Sequence, residues 1–132
     1  MRQLVLASLV LLLLSIRGIA QTKAELSNLK LINANYQSCL DEGENRVACS
    51  RLYYIDVDSV MRGVYEHLKM GLKPVQQAYL VKEQQEWLQF RDRRFRLIDK
   101  HNNLEGRDRE MVSYHDKANF VIERAMILIG RI

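Results

Sequence analysis

Apolar residues recur along most of this chain every three or four positions, the period of an α-helix. Over residues 23–40 the line is Leu26, Leu29, Ile32 or Asn33, Tyr36, Cys39 and Leu40. The acidic stretch Asp41 to Asn45 contains Gly43 and ends that helix. A second helix starts near Arg46 or Val47 and runs to about Met70. Its line is Leu52, Ile55, Asp58, Met61, Tyr65, Leu68 and Leu72, widened by Val57, Val60 and Val64. Gly71 suits a left-handed cap, and Pro74, the only proline, suits the first turn of the next helix. Residues 71–74 therefore read as a tight connection between antiparallel neighbours. The third helix runs from Pro74 to about His101, roughly 40 Å. Its line, Leu80, Gln84, Trp87, Arg91, Arg94 and Ile98, is only half apolar. Asn102 to Gly106 end it, and a fourth helix follows from about Asp108 to Leu128. That line is Met111, Tyr114, Ala118, Val121, Ala125 and Leu128. No stretch alternates with period two for long enough to make a strand. The pattern predicts an all-α fold, a small antiparallel four-helix bundle.

The first twenty residues follow a different pattern. A short basic start is followed by a nearly unbroken apolar run, Leu4 to Leu14, and by the small residues of Gly18-Ile19-Ala20. This is the layout of a signal peptide, residues 1–20, cut after Ala20. A membrane anchor needs a run of roughly 20 apolar residues, and Arg17 interrupts this one. The expected mature chain, Gln21 to Ile132, is one domain and is periplasmic or secreted, with no stable membrane insertion after cleavage. The full chain of 132 residues carries 20 Lys and Arg against 16 Asp and Glu, a formal charge of +4. Loss of Arg2 and Arg17 leaves 18 against 16, or +2. So weak a positive charge does not imply a nucleic-acid partner. Export implies an oxidising compartment, in which Cys39 and Cys49 read as one disulfide. Closing that short loop is worth about 3 kcal/mol in the chain-entropy model. A two-cysteine metal site lacks nearby histidines, and a redox pair is more often Cys-x-x-Cys.

The candidate chemistry is sparse. His67, His101 and His115 lie far apart, and neighbours such as Tyr114, His115 and Asp116 point in different directions on a helix. There is no phosphate-binding glycine loop, and Ser59 and Ser113 lack a nucleophile context. No metal site or cofactor is expected. The basic run Arg91, Arg93, Arg94, Arg96 and Lys100 reads first as a solvated helix face neutralised by Glu86, Asp92 and Asp99. Its other reading is a surface for an anionic partner. Gln84 and Arg91 flank Trp87 on the face a helix buries, and Asp58 sits in the line of the second helix. A buried arginine and a buried carboxylate each need a partner, so Arg91 is expected to reach Asp58 or Asp56. The apolar tail from Ile127 to Ile132 either docks on the bundle or pairs two copies.

Gln84-x-x-Trp87-x-x-Phe90-Arg91-Asp92 resembles the Gln-x-x-Trp-x-x-Tyr-Arg-Asp signature of the lysozyme inhibitor LprI-like N-terminal domain family. Asp58-x-x-Met61-x-x-x-Tyr65-x-x-Leu68 resembles a second segment of that family, and Ala48-Cys49 its first-helix cysteine. The likeness covers roughly Cys39 to Arg124. Arg62 stands where the family usually has Asn, and Phe95 and Ala118 stand where a second disulfide is usual.

The resemblance implies a small, exported, helical, non-enzymatic binding protein. Its expected activity is inhibition of lysozyme or another cell-wall hydrolase, with Arg93, Arg96 and Lys100 as the outward residues free to meet a protein partner. A second reading is an immunity or accessory protein that binds a bacterial envelope partner or toxin. A third, an envelope enzyme, has no convergent catalytic group behind it. The sequence leaves the oligomeric state open.

Overall fold

The computed structural model describes residues 2–43, 45–101 and 104–132, and the side chains of 19–43, 45–100 and 104–132. Four helices account for nearly all of it: α1 (Arg2–Glu42), α2 (Arg46–Gly71), α3 (Pro74–His101) and α4 (Gly106–Ile129). Among the described residues there is no strand. α1 passes without a break through Ala20 and Gln21. The side chains of the apolar run Leu4 to Leu14 lie outside the described residues.

Local chemistry sets the helix ends. Asn45 caps α2 by accepting a bond from the Ala48 amide at 3.2 Å, an interaction worth about 1 kcal/mol. Its Oδ1 also accepts from Arg107 at 3.2 Å, which ties the start of α2 to the start of α4. Pro74 opens α3 as expected, and Gln76 reaches back to the Lys73 amide at 3.3 Å, half of a capping box. Gly71 is not the left-handed cap expected of it. Positive φ occurs at Gly43 (75°) and Gly106 (59°). Pro74 instead disfavours helical backbone ahead of it, and the chain leaves α2 at Leu72, with φ −94° and ψ 153°.

The contacts fix the direction of each helix. Cys39 near the end of α1 is bonded to Cys49 near the start of α2, with 5.8 Å between their Cα atoms. Asp99 at the end of α3 meets Ser113 and Lys117 near the start of α4, and Glu83 near the other end meets Arg124 and Arg131. Consecutive helices are therefore antiparallel. Arg51 pairs with Glu110 at 2.9 Å and Tyr54 lies beside Tyr114, so α2 and α4 run parallel.

α2 and α4 also form the closest pair, with α1 on α2 and α3 held mainly by α4. Among the described residues α1 and α3 do not meet. The close approach follows from small side chains on the facing stripes. Ser50, Val57 and Val64 on α2 and Ala118, Val121 and Ala125 on α4 are all fully buried.

The expected line on α4 is correct in its second half, where Ala118, Val121, Ala125 and Leu128 are fully buried. The line on α2 is rotated. Leu52 and Ile55 are 55% and 47% exposed, whereas Tyr53, Val57, Val60, Met61, Val64 and Leu68 are buried. The valines are the centre of that face. The tail docks on the bundle, since Leu128 and Ile129 are buried and Arg131 pairs with Glu83 at 2.9 Å.

Candidate functional site

The buried polar centre of the bundle is not the expected pair. Arg91 does not reach Asp58 or Asp56. Its guanidinium pairs with its own neighbour Asp92 at 2.8 Å and covers the rings of Trp87 and Phe95. Asp58 pairs with Arg62 one turn along α2, at 3.0 Å, and its other oxygen is buried without a partner among the described residues. The buried arginine is Arg124 on α4, only 5% exposed. Its Nε and Nη2 donate to Gln84 Oε1 at 3.0 and 2.8 Å, and Nη1 donates to Glu83 at 2.7 Å. The guanidinium also lies 5.7 Å from the centre of the Trp87 ring. Burial pushes the Glu83 carboxyl up, but the bonds from Arg124 and Arg131 outweigh it and hold the carboxyl below its ordinary value.

Arg124 was legible as an anomaly. It sits three residues after Val121 and four before Leu128, inside the apolar stripe of α4. Gln84 is on the buried face as expected; its oxygen serves Arg124 on α4, and its amide donates to the Met61 sulfur on α2 at 3.4 Å. Phe95, where the resemblance implies a cysteine, packs against Tyr54 and Phe120, so aromatic packing joins α3 to its neighbours there. His115 stacks against Tyr36 and Tyr53 and shares a hydrogen bond with Asn119 at 3.0 Å. Tyr114 and Asp116 point elsewhere, so the three do not converge.

The outer face of α3 behaves differently. Arg93, Arg94, Arg96 and Lys100 are all exposed. Among the described residues none of the four makes an ion pair. The carboxylates expected to neutralise them are engaged elsewhere: Glu86 lies 3.9 Å from Lys82, Asp92 holds Arg91, and Asp99 holds Lys117 at 2.8 Å. Burial pushes the Asp99 carboxyl up, and the bonds from Lys117 and Ser113 bring it below its ordinary value. The local pairing expected for the basic run therefore holds at Arg91 alone; the other four stay solvated without an ion pair among the described residues, with Arg93 lying 6.0 Å from the centre of the Phe90 ring.

Two of these cations, Arg93 and Arg94, border a groove of about 750 Å³ between α3 and α4. Phe90, Leu97, Ile98 and Phe120 give it an apolar lining, with Phe90 51% exposed and its ring tilted against Phe120 at 5.7 Å. Arg93 and Arg94 form the α3 wall, and Asp116, Asn119 and Glu123 form the α4 wall. Asp116 and Glu123 have no ion-pair partner among the described residues. This second wall is not legible in the sequence, because Asp116 and Glu123 lie far along the chain from the basic run. The surface can hold a protein segment through an apolar strip and charges of both signs.

With this geometry in place, a protein-family comparison decides the affiliation. The model described as lysozyme inhibitor LprI matches residues 32–126. The chain belongs to the lysozyme inhibitor LprI family. The match takes in the disulfide, all of α2 and α3, and most of α4. No curated protein and no solved structure matches the chain. At the level of the family, membership suggests a lysozyme-inhibitor role, which implies a protein partner. Among the described residues no helix is long and apolar enough to cross a membrane, and no group of His, Cys, Asp and Glu could hold a metal ion.

Proposed function

We propose that this protein is exported, with residues 1–20 removed as a signal peptide, and that it inhibits a lysozyme-class cell-wall hydrolase without catalysing a reaction itself. The observation that carries the reading is the unpaired row Arg93, Arg94, Arg96 and Lys100, beside exposed Phe90, on a chain of this family. Such hydrolases act through two carboxylates that flank the scissile bond. An extended arginine or lysine placed between them forms charge-assisted hydrogen bonds and occupies the position of the substrate. A guanidinium whose nitrogens are all engaged by internal acceptors, as in Arg124, could not do this, which is why the absence of ion-pair partners matters.

At +2 the mature chain gains no long-range steering toward a basic lysozyme. Affinity then depends on local fit: the aromatic strip as the dry centre, the arginines directed at the acidic cleft, and Asp116 and Glu123 opposite basic residues of the rim. The purified protein is tested in a lytic assay on cell-wall suspensions with several lysozymes. Inhibition at micromolar or lower concentration is expected. The variant carrying Arg93→Glu, Arg96→Glu and Lys100→Glu loses it, with an unchanged thermal midpoint. Full inhibition by that variant contradicts the assigned face, and no inhibition of any lysozyme by the parent contradicts the function.

A further inference from the structure

Of the signature positions, the docking face uses only Phe90. Tyr65, Gln84 and Arg91 line a separate cleft of about 620 Å³ between α2 and α3, together with Ser59, Arg62 and Gly63. That volume lies in the range of small-molecule sites.

Gly63 is the first indication of an occupant. It lies inside the 26-residue helix α2, where glycine costs about 1 kcal/mol relative to alanine. Its φ is not positive, and a Cβ added there would meet no atom within 4 Å. No packing contact in the chain requires the missing side chain, and the space in front of it is the cleft.

Gln84 is the second. It is 6% exposed, and Arg124 saturates its carbonyl oxygen. Its amide donates to the Met61 sulfur at 3.4 Å, a weak acceptor. The second N–H of that amide has no acceptor among the described residues, although buried donors are nearly always satisfied. The hydroxyls of Ser59 and Tyr65 likewise make no hydrogen bond among the described residues. Arg62 and Arg91 reach the cleft from facing helices; Arg62 holds Asp58 through Nε alone and Arg91 holds Asp92 through Nε and Nη2, so each keeps Nη N–H groups with no acceptor among the described residues. The one lining carboxylate, Glu66, is held by Lys69 at 2.6 Å. Met61 and Leu88 add a small apolar patch.

Two guanidinium groups, a buried amide donor, two free hydroxyls and an apolar patch suit a compact molecule with a carboxylate, several hydroxyls and a C–H face. We propose that this cleft binds a carboxylated sugar, with the carboxylate on Arg62 and Arg91 and the ring hydroxyls on Ser59, Tyr65 and Gln84. The site is separate from the hydrolase-facing groove and does not depend on it.

The test is a titration of the ¹⁵N-labelled protein, followed by NMR, with N-acetylmuramic acid, glucuronic acid and uncharged N-acetylglucosamine. Saturable shifts confined to α2 and α3 are expected for at least one acid, with binding of the uncharged sugar at least ten-fold weaker. Gly63→Leu fills the cleft and removes binding while the thermal midpoint holds or rises. Arg91→Gln weakens acid binding about ten-fold and leaves the uncharged sugar unaffected. The proposal is overturned by the absence of saturable shifts with both acids, by shifts centred elsewhere, or by undiminished binding to a folded Gly63→Leu protein.

Discussion

Replacing the two members of the Arg124–Gln84 pair singly and together probes what holds α3 against α4. Arg124→Met keeps most of the buried stem and removes both bonds to Gln84 Oε1. That oxygen is then buried without a donor, a cost of about 1–3 kcal/mol. Glu83 keeps Arg131 and is 43% exposed, so loss of its second partner adds little. The single change therefore costs about 2 kcal/mol. Gln84→Leu leaves the guanidinium buried with Glu83 alone, again about 2 kcal/mol. Making both changes removes donor and acceptor together and replaces them with apolar groups of similar size. The double variant should lie within about 1 kcal/mol of the parent, a coupling near 3 kcal/mol. Urea unfolding followed by Trp87 emission measures this. With an m-value of about 1–3 kcal/mol/M, each single change lowers the midpoint by about 0.7–2 M and the double restores most of it. Arg124 lies against the Trp87 ring, so emission intensity changes among the variants and the midpoint is the quantity to compare. Far-UV circular dichroism gives an independent midpoint. Costs that add to within about 0.5 kcal/mol would refute the coupled pair.

Stability should also fall in acid. The Glu83 and Asp99 carboxyls are held below their ordinary values of 4.5 and 3.8 in the folded state. Their stabilisation is complete above those values and is lost as the pH drops through the lower folded ones. Thermal midpoints measured from pH 7 to pH 2 should decline mainly below about pH 4.5, and Glu83→Gln should flatten the upper part of that decline. Removing the Cys39–Cys49 bond with the double change to serine should cost about 3 kcal/mol, read as a lower urea midpoint with the helical spectrum retained in water.

Much of the fold was legible because helical periodicity and end signals agree in this chain. Pro74 opens α3, Asn45 caps α2, and the alanines and valines of α4 mark its buried stripe. The face of α2 was harder to read. Leu52, Ile55, Met61 and the three valines cover more than half of its circumference, so hydrophobicity alone cannot choose the side. The choice is made by α4, whose small residues admit the valines closely. For the same reason the parallel α2–α4 pair could not be read from chain order, which favours consecutive neighbours. In the candidate site, the free cations follow from competition that no single helix reveals. Asp99 is taken by Lys117 and Ser113 of α4, and Asp92 turns to Arg91. Gln84 was correctly placed inside, but its partner Arg124 lies 40 residues away in sequence.

The most direct measurement of the central claim is the lytic assay, run side by side on the parent and on the protein carrying Arg93→Glu, Arg96→Glu and Lys100→Glu. Dose-dependent inhibition of at least one lysozyme is expected from the parent, with at least a ten-fold loss in the folded variant. Unimpaired lysis in the presence of the parent, or equal inhibition by both proteins, would contradict that claim.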